Sequence, residues 1–397
     1  MAQPLSKTVY VLSARRTPLG SFMGSLGGLS APQLGAVAIS AALKDSGVKP
    51  EQVEQVYMGC VLQAGIGQAP ARQAAIFAGL PQSAAATTIN NVCGSGMKAV
   101  MMAAPSIMTG ESEFVVAGGM EAMSQVPHYL MGARGGYRMG HNQVVDGMIK
   151  DGLWDVYNDF HMGNAAELCA KEMKFTREAQ DAYSIESFKR AQAAISSGAF
   201  KNEIAPVEVK GRKGDSVMVD TDEGPGKAQF DKMPGLKPAF DKNGTVTAAN
   251  ASTINDGAAA LVLASEDFVK RNGLKPMARI VDFATHAQAP EWFTTAPVEA
   301  VRKCLKRAGW QTSDVDLFEV NEAFALVAMA AMQELKLEHS KVNVNGGGVS
   351  LGHPIGASGA RILVTLIHAL KARGKKRGVG TLCIGGGEGT ALALELT

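Results

Sequence analysis

One pattern occurs twice in this chain, and that constrains its fold more than any bulk property. ALKDSGVKPEQVEQVYMG, from Ala42, and CLKRAGWQTSDVDLFEV, from Cys304, align without gaps over Leu43/Leu305, Gly47/Gly309 and Val53/Val315. The elements around each copy follow in the same order. The first series reads Thr8 to Ser13 as strand, Pro32 to Leu43 as helix, Val53 to Leu62 as strand and Ala71 to Phe77 as helix. The short run Thr87 to Asn90, a helix after Cys93 and the apolar run Phe114 to Ala117 complete it. The second series begins at Ala278 with ARIVDFA as strand, PVEAVRKCLKRAG as helix, VDLFEV as strand and a helix from Glu322. VNVN, a helix from Ala357 and the closing strands TLCIG and ALALEL follow. Such alternation predicts a duplicated α/β fold with right-handed crossovers, a mostly parallel sheet and helices on its faces.

Between the copies, over roughly 121–250, the texture changes to Gly, Met, aromatic and charged residues with Pro-Gly turns. This reads as an insertion with helical pieces at Ala165 to Lys171 and Arg177 to Ser196. Its segment HYLMGARGGYRMGH, 128–141, is either a linker or an exposed loop making subunit contacts. The chain therefore divides into a first half, 1–120, completed by about 251–272; an inserted region, 121–250; and a second half, 273–397.

The 397 residues suffice for two or three packed domains. Lys and Arg number 39 against 37 Asp and Glu, so the net charge of +2 gives no reason to expect nucleic acid or a membrane surface as partner. The five cysteines, at 60, 93, 169, 304 and 383, are widely spaced and form no C-x-x-C pair, which argues against disulfides or zinc and for a reducing compartment. The start, MAQPLSKTVYVLSARRTP, lacks the apolar core of a secretory signal, and no run of about 18 apolar residues is apparent. Cytoplasmic localisation without a membrane span is the expectation.

Three Gly-framed turns carry the candidate chemistry. In TTINNVCGSGMKAV, Cys93 lies between strand and helix, followed by Gly94 and Gly96. Unpaired N–H groups and the positive end of the helix dipole favour thiolate there, and the glycines let a substrate approach the sulfur. A lone cysteine is more often a small core residue; this placement weighs against that. In VNVNGGGVSLGHPIGASG, His353 sits between Gly352 and Pro354 at a similar passage. Ser95-Gly96 aligns with Ser358-Gly359, so both loops should face one pocket. In TLCIGGGEGTALALEL, Cys383 ends a strand before Gly385, whose N–H could donate to an oxyanion; a structural cysteine before a hairpin turn is the equal alternative. Asn321 and Glu322 end another strand, where Asn as an ordinary N-cap competes with a functional role. No G-x-x-x-x-G-K-[ST] loop, no G-x-G-x-x-G opening the first βαβ unit, no H-E-x-x-H and no G-x-S-x-G occurs, so ATP, NAD, zinc-protease and serine-hydrolase chemistry lack support.

The blocks CGSG (93–96), NEAF (321–324), GHPIGASG (352–359) and CIGGG (383–387), with VVAGGMEAMS (115–124) and NASTINDGAAA (250–260), resemble the thiolase family in residue type, order and spacing. HMG at 161–163 is similar to the short-chain signature of its acetoacetyl-CoA-handling members. The resemblance implies duplicated βαβαβαββ halves forming a layered αβαβα core with an inserted loop domain. It implies acetyl-CoA C-acetyltransferase activity, a reversible Claisen condensation of two acetyl-CoA to acetoacetyl-CoA and CoA. Coenzyme A is then substrate and product, with no cofactor and no metal. A thiolase of broader chain length and a non-catalytic acyl-CoA-binding relative stay open.

By the same carry-over, Cys93 would be the nucleophile, His353 would take its proton, and Cys383 would be the base that deprotonates the second acetyl-CoA. His353 and a water on Asn321 would hold the enolate oxygen, while the N–H groups of Cys93 and Gly385 would hold the tetrahedral one. Leu153, His161, Met162, Ala251, Ser252, Ala323 and Phe324 would line the pantetheine and acyl channel. Pro225 and Lys227 stand where relatives place an aromatic residue and an Arg, leaving Lys227 as a point charge for phosphate. A homotetramer, as a dimer of dimers, is the implied assembly.

Overall fold

The structure, a computed structural model, describes residues 8–211 and 214–397. Residues 1–7, part of the stretch read for a leader, lie outside it. In the first half, strands β1 (Val9–Arg16), β2 (Gln55–Gly59), β3 (Ala85–Ile89), β4 (Phe114–Ala122) and β5 (Asn255–Ser265) lie side by side in the order β3-β2-β4-β5-β1. In the second half, β6 (Ala278–Ala287), β7 (Leu317–Val320), β8 (Arg377–Ile384) and β9 (Glu388–Leu396) lie in the order β7-β8-β9-β6. Val342 bridges to Phe318 beyond β7, at the place β3 holds in the first half. Both halves thus have one strand order, and β1 and β6 join them through Val9–Val11 against Ile280–Ala278.

Two expectations need correction. The sheet is not mostly parallel: only β2–β3, β2–β4 and β7–β8 run parallel, and the remaining pairings along the sheet are antiparallel. The last strand of each half is the cause. β9 returns from β8 through a tight turn, and β5 returns after the insertion, so neither needs a crossover helix. VNVN does not form a strand either, because Asn343 turns into the left-handed region at φ 48° just after the bridge of Val342 to Phe318.

The helices supply the other layers: α1 (Ala31–Ser46), α2 (Pro70–Phe77), α3 (Ser95–Thr109), α4 (Met162–Glu172), α5 (Arg177–Ser196), α6 (Ala296–Ala308), α7 (Ala325–Leu335) and α8 (Ile355–Ala372). α3 and α8 form the middle layer: Val100, Ala104, Ile107, Leu363, Leu366 and Leu370 pack with Val115 and Leu261 of one sheet and Leu382 and Leu394 of the other. α1 and α2 cover the outer face of the first sheet, and α6 and α7 that of the second. The duplication reaches into the turns: α1 and α6 both end on a left-handed glycine, Gly47 at φ 72° and Gly309 at φ 70°. α8 is 18 residues long and apolar enough to cross a bilayer by length and composition, although Arg361, His368 and Lys371 interrupt it and it is no unbroken apolar run. It is a core helix, with 83% of its residues buried, and its polar side chains are met inside the protein, Thr365 by Glu203 (3.1 Å) and His368 by the Ala14 carbonyl (3.0 Å).

The middle layer closes at one point. A Cβ on Gly96 would lie 2.8 Å from the backbone N of Ala360, and one on Gly359 would lie 2.3 Å from that of Met97. These are the two glycines that align in the duplication, and their bareness lets the first turns of α3 and α8 touch. Gly359→Ala should therefore destabilise the fold by about 3 kcal/mol, since backbone at that distance cannot be repacked like a side chain. Thermal or urea denaturation measures this, and an unchanged midpoint would contradict the contact.

Candidate active site

The contact of α3 with α8 sets the turns before them against each other. Cys93 lies between β3 and α3, as expected, on a turn that Val92 enters at φ 44°. A β-branched residue in that region is strained, and the surrounding bonds hold it there. Asn91 N–H donates to Ser95 Oγ (2.8 Å), Ser95 Oγ donates to the Val92 carbonyl (2.7 Å), and Gly94 N–H donates to the Asn91 carbonyl (2.9 Å). The thiol of Cys93 is half-buried and faced by its own N–H and that of Gly385. Those donors do not leave it a thiolate: burial, with a smaller contribution from Glu121, pushes the thiol up to about 11. The expectation that the turn favours thiolate is reversed, because desolvation outweighs the two N–H groups.

His353 is held from three sides. Its N–H donates to Asn255 Oδ1 (3.0 Å), its Nδ1 lies 2.5 Å from Ser358 Oγ, and Asn321 Nδ2 sits 3.4 Å from Nε2. Ser358 in turn donates to the Pro354 carbonyl at 2.9 Å, so it accepts from an Nδ1–H and leaves Nε2 as the basic nitrogen. Gly352, at φ 116°, passes against the Asn255 side chain, where a Cβ would lie 2.3 Å from Cγ. Burial, aided by the charge of Arg361, pushes His353 down to about 3.

Asn321 follows β7 but caps nothing. The helix expected from Glu322 begins at Ala325 with Phe324 as its cap, because the chain just before it pairs with the 250–252 segment through Ser252 N–H to the Ala323 carbonyl (2.9 Å) and Ala325 N–H to the Asn250 carbonyl (2.8 Å). Asn321 is fully buried, and its Oδ1 has no partner among the described residues. Cys383 ends β8 fully buried among Ala165, Cys169, Phe293, Phe324 and Val327. Burial and then the neighbouring Cys93 raise its pKa well above the ordinary thiol value.

One cavity of about 230 Å³ gathers Cys93, His353 and Gly385 with Leu153, His161, Met162, Ala251, Ser252, Ala323 and Phe324. Every residue expected in the acyl channel lines it. Cys383 and Asn321 do not, standing in the wall behind Gly385 and His353. Lys227 lies elsewhere, 3.3 Å from Glu223 at the rim of a separate depression with Phe188 and Met233. A larger open depression of about 720 Å³ on α1, with Arg15, Lys44 and Asp45, holds no cysteine or histidine.

The His-Met-Gly sequence has a local reason. His161 Nδ1 caps α4 by accepting from Gly163 N–H (3.0 Å) and stacks on Phe240 at 4.7 Å, while a Cβ on Gly163 would strike that ring at 2.3 Å. Sequence reasoning missed Phe240, Phe293, Met123, Ile254 and Ile355, which complete the apolar lining. It also missed the role of Glu121, which accepts from Val61 N–H (3.0 Å), Leu62 N–H (3.2 Å) and Gly356 N–H (2.8 Å) and so ties the first half to the start of α8. Burial raises Glu121 to about 7. Its only signal in the sequence is a carboxylate inside an apolar strand.

Family models for the thiolase N-terminal domain and the thiolase C-terminal domain match residues 9–267 and 274–396. The chain belongs to the thiolase family. It is 57% identical over 388 residues to the acetyl-CoA acetyltransferase of Cupriavidus necator, covering 98% of this chain and 99% of that protein. It is 55% identical over 392 residues to acetyl-CoA acetyltransferase 2 of Arabidopsis thaliana, covering 98% and 97%. Among solved structures, the Bacillus anthracis acetyl-CoA acetyltransferase superposes with a TM-score of 0.97 at 43% identity, covering 99% of both chains. The Acat5 thiolase of Ascaris suum in complex with coenzyme A gives 0.94 at 45%, covering 98% of this chain and 100% of that one.

In this thiolase the depressed basicity of His353 has a direct consequence. The imidazole should stay neutral as pH falls from its ordinary 6.5 and take up a proton only near 3. Histidine proton resonances followed from pH 8 to 4.5 should show one ring that does not titrate and that is missing from the spectrum of His353→Asn. A midpoint above 6 for that ring would contradict the burial argument.

Proposed function

We propose that the chain catalyses the reversible condensation of two acetyl-CoA to acetoacetyl-CoA and CoA. One observation carries this: a thiol on a strained turn, faced by two backbone N–H groups, shares an apolar cavity with a buried neutral histidine. In the first step Cys93 Sγ attacks the thioester carbon while its proton passes to His353. The N–H groups of Cys93 and Gly385 take the oxyanion. CoA leaves with the Cys383 proton, so acetyl-Cys93, imidazolium and thiolate remain, and the buried site carries no net charge.

In the second step the Cys383 thiolate removes a methyl proton from the incoming acetyl-CoA. Its high basicity, raised by burial, suits a weak carbon acid. The imidazolium of His353 and a water on Asn321 hold the enolate oxygen. The carbanion attacks the acetyl group, Cys93 leaves with the His353 proton, and acetoacetyl-CoA departs from a site returned to its starting protonation. Thiolysis is the reverse. Leu153, His161, Met162, Ala251, Ser252, Ala323 and Phe324 flank the pantetheine and acyl groups, while Lys227, on its separate depression, would meet a phosphate that reaches past the cavity only if its pair with Glu223 opens.

Domain roles follow the topology. Residues 1–120 with 251–272 form one half, since β5 pairs with β1 and β4, and 273–397 form the other. The 121–250 insertion covers the site and supplies oligomer contacts. Its exposed arm, a hairpin of His128–Leu130 with Val144–Asp146, carries Leu130, Met131, Met139 and Val144, and β3 is an edge strand. These features suit a homotetramer. Two thiols that must stay unoxidised suit a reducing compartment such as the cytoplasm.

Cys93→Ala should lower acetoacetyl-CoA cleavage by at least about a thousandfold at unchanged folding; turnover within tenfold of the parent sinks the proposal. A cavity of about 230 Å³ whose lining includes the bulky Met162, Phe240 and Phe293 leaves little room beyond a short acyl group. A series of ketoacyl-CoA substrates should therefore lose kcat/KM steeply beyond four or five carbons, whereas a flat profile would favour a thiolase of broader range.

A further inference from the structure

We infer that Glu322 is a positioning residue for Asn321, and that α5 of the insertion thereby belongs to the catalytic apparatus. The inference rests on the condensation reading and deepens it. Glu322 is fully buried, yet both its oxygens are saturated. Oε1 accepts from Tyr183 Oη (2.8 Å) and Asn343 Nδ2 (2.8 Å), and Oε2 accepts from Ser187 Oγ (2.8 Å) and Val349 N–H (3.1 Å). Tyr183 and Ser187 lie one turn apart on α5, while Asn343 and Val349 flank the loop that leads to His353. One carboxylate thus clamps the insertion, the end of β7 and the catalytic loop.

The loop is shaped around that carboxylate. A Cβ on Gly347 would lie 2.4 Å from Glu322 Cδ, and one on Gly348 would lie 2.8 Å from the Glu322 carbonyl and 3.2 Å from Asn321 Oδ1. Ser350 Oγ adds a 2.9 Å contact to Ser187 Oγ from the loop side. His353 does not depend on this clamp, since Asn255 and Ser358 fix its backbone and ring independently. Asn321 does. Its Oδ1 has no partner among the described residues, its Nδ2 reaches only the ring of His353 at 3.4 and 3.5 Å, and beyond its own backbone N–H to Thr381 its place is set by the residue next to it. Loosening Glu322 therefore disturbs the enolate-stabilising group before it disturbs the group that serves Cys93.

Gln is the informative replacement. Asn343 Nδ2 and Val349 N–H can only donate, and they address different oxygens of Glu322. Whichever oxygen becomes NH2 then faces a donor, so Glu322→Gln breaks the clamp at nearly constant volume. Two partial reactions read the effect separately. Acetyl exchange between acetyl-CoA and labelled CoA passes only through acetyl-Cys93, and deuteration of the acetyl-CoA methyl in D2O passes through the enolate.

Glu322→Gln is expected to keep acetyl exchange within a few-fold while methyl deuteration and condensation fall about a hundredfold, with KM for acetyl-CoA little changed. Tyr183→Phe combined with Ser187→Ala removes the α5 arm without altering charge and should show the same selective loss at about tenfold. Equal losses in both partial reactions would mean a structural role only and overturn the inference, as would full deuteration in Glu322→Gln. Should that variant not accumulate folded, the double variant is judged by the same ratio. An unmutated enzyme without acetyl exchange would instead refute the condensation reading itself.

Discussion

The contact between the first turns of α3 and α8 is the constraint on which the rest depends. Each helix follows a Gly-framed turn, and each turn carries one reactive side chain, Cys93 before α3 and His353 before α8. Gene duplication alone would place equivalent turns at equivalent ends of two sheets. What makes one site of them is that the aligned glycines, Gly96 and Gly359, leave nothing between the two backbones. Helices carrying ordinary side chains at the contact stand about 8–10 Å apart, a separation that would pull the thiol away from the imidazole. Glu121 reinforces the approach by accepting N–H groups from Val61 and Leu62 of one half and Gly356 of the other.

Burial at that contact sets the electrostatics. Cys93 and Cys383 are pushed toward the neutral thiol and His353 toward the neutral imidazole, so none of the three is favoured in its charged form. A thiolate or imidazolium formed singly would be costly there; formed together by proton transfer, they neutralise each other in the same enclosed space. The chemistry therefore proceeds as coupled exchanges in which each charge appears with its counter-charge. The same low-polarity surroundings that disfavour ionisation would, on the proposed mechanism, strengthen the N–H groups of Cys93 and Gly385 against an oxyanion.

How much of this could be read from residues alone depends on the range of the interactions. Strand and helix order was legible, since it follows from local periodicity, and so were the Gly-framed turns, whose φ requirements are local. The channel residues were legible only through the family resemblance. Strand direction was misread, because β5 and β9 return without crossover helices and nothing in ALVLAS or ALALEL encodes direction. Asn321 was left open as an N-cap because what holds its backbone, the bond from its N–H to the Thr381 carbonyl, comes from another strand far along the chain. The acidity of Cys93 was misjudged for a related reason: helix dipole and N–H donors are visible in a local pattern, whereas desolvation depends on what the whole fold places around the sulfur.

Lys227 marks the other limit. A cation near an expected phosphate site is chosen by sequence position, but its availability is decided by what it pairs with, and here that is Glu223 in the same turn of chain. Glu223 is itself engaged by Ser21 N–H (2.8 Å) and Ser25 N–H (2.9 Å), which hold its carboxyl down at about 2 despite partial burial. The carboxylate would thus remain anionic and anchored whatever Lys227 does. The lysine is the mobile member, 61% exposed on a flexible stem, and an exposed pair of this kind contributes about 0–1 kcal/mol. Lys227 can therefore leave the pair at little cost, in a depression separate from the cavity that holds Cys93 and His353.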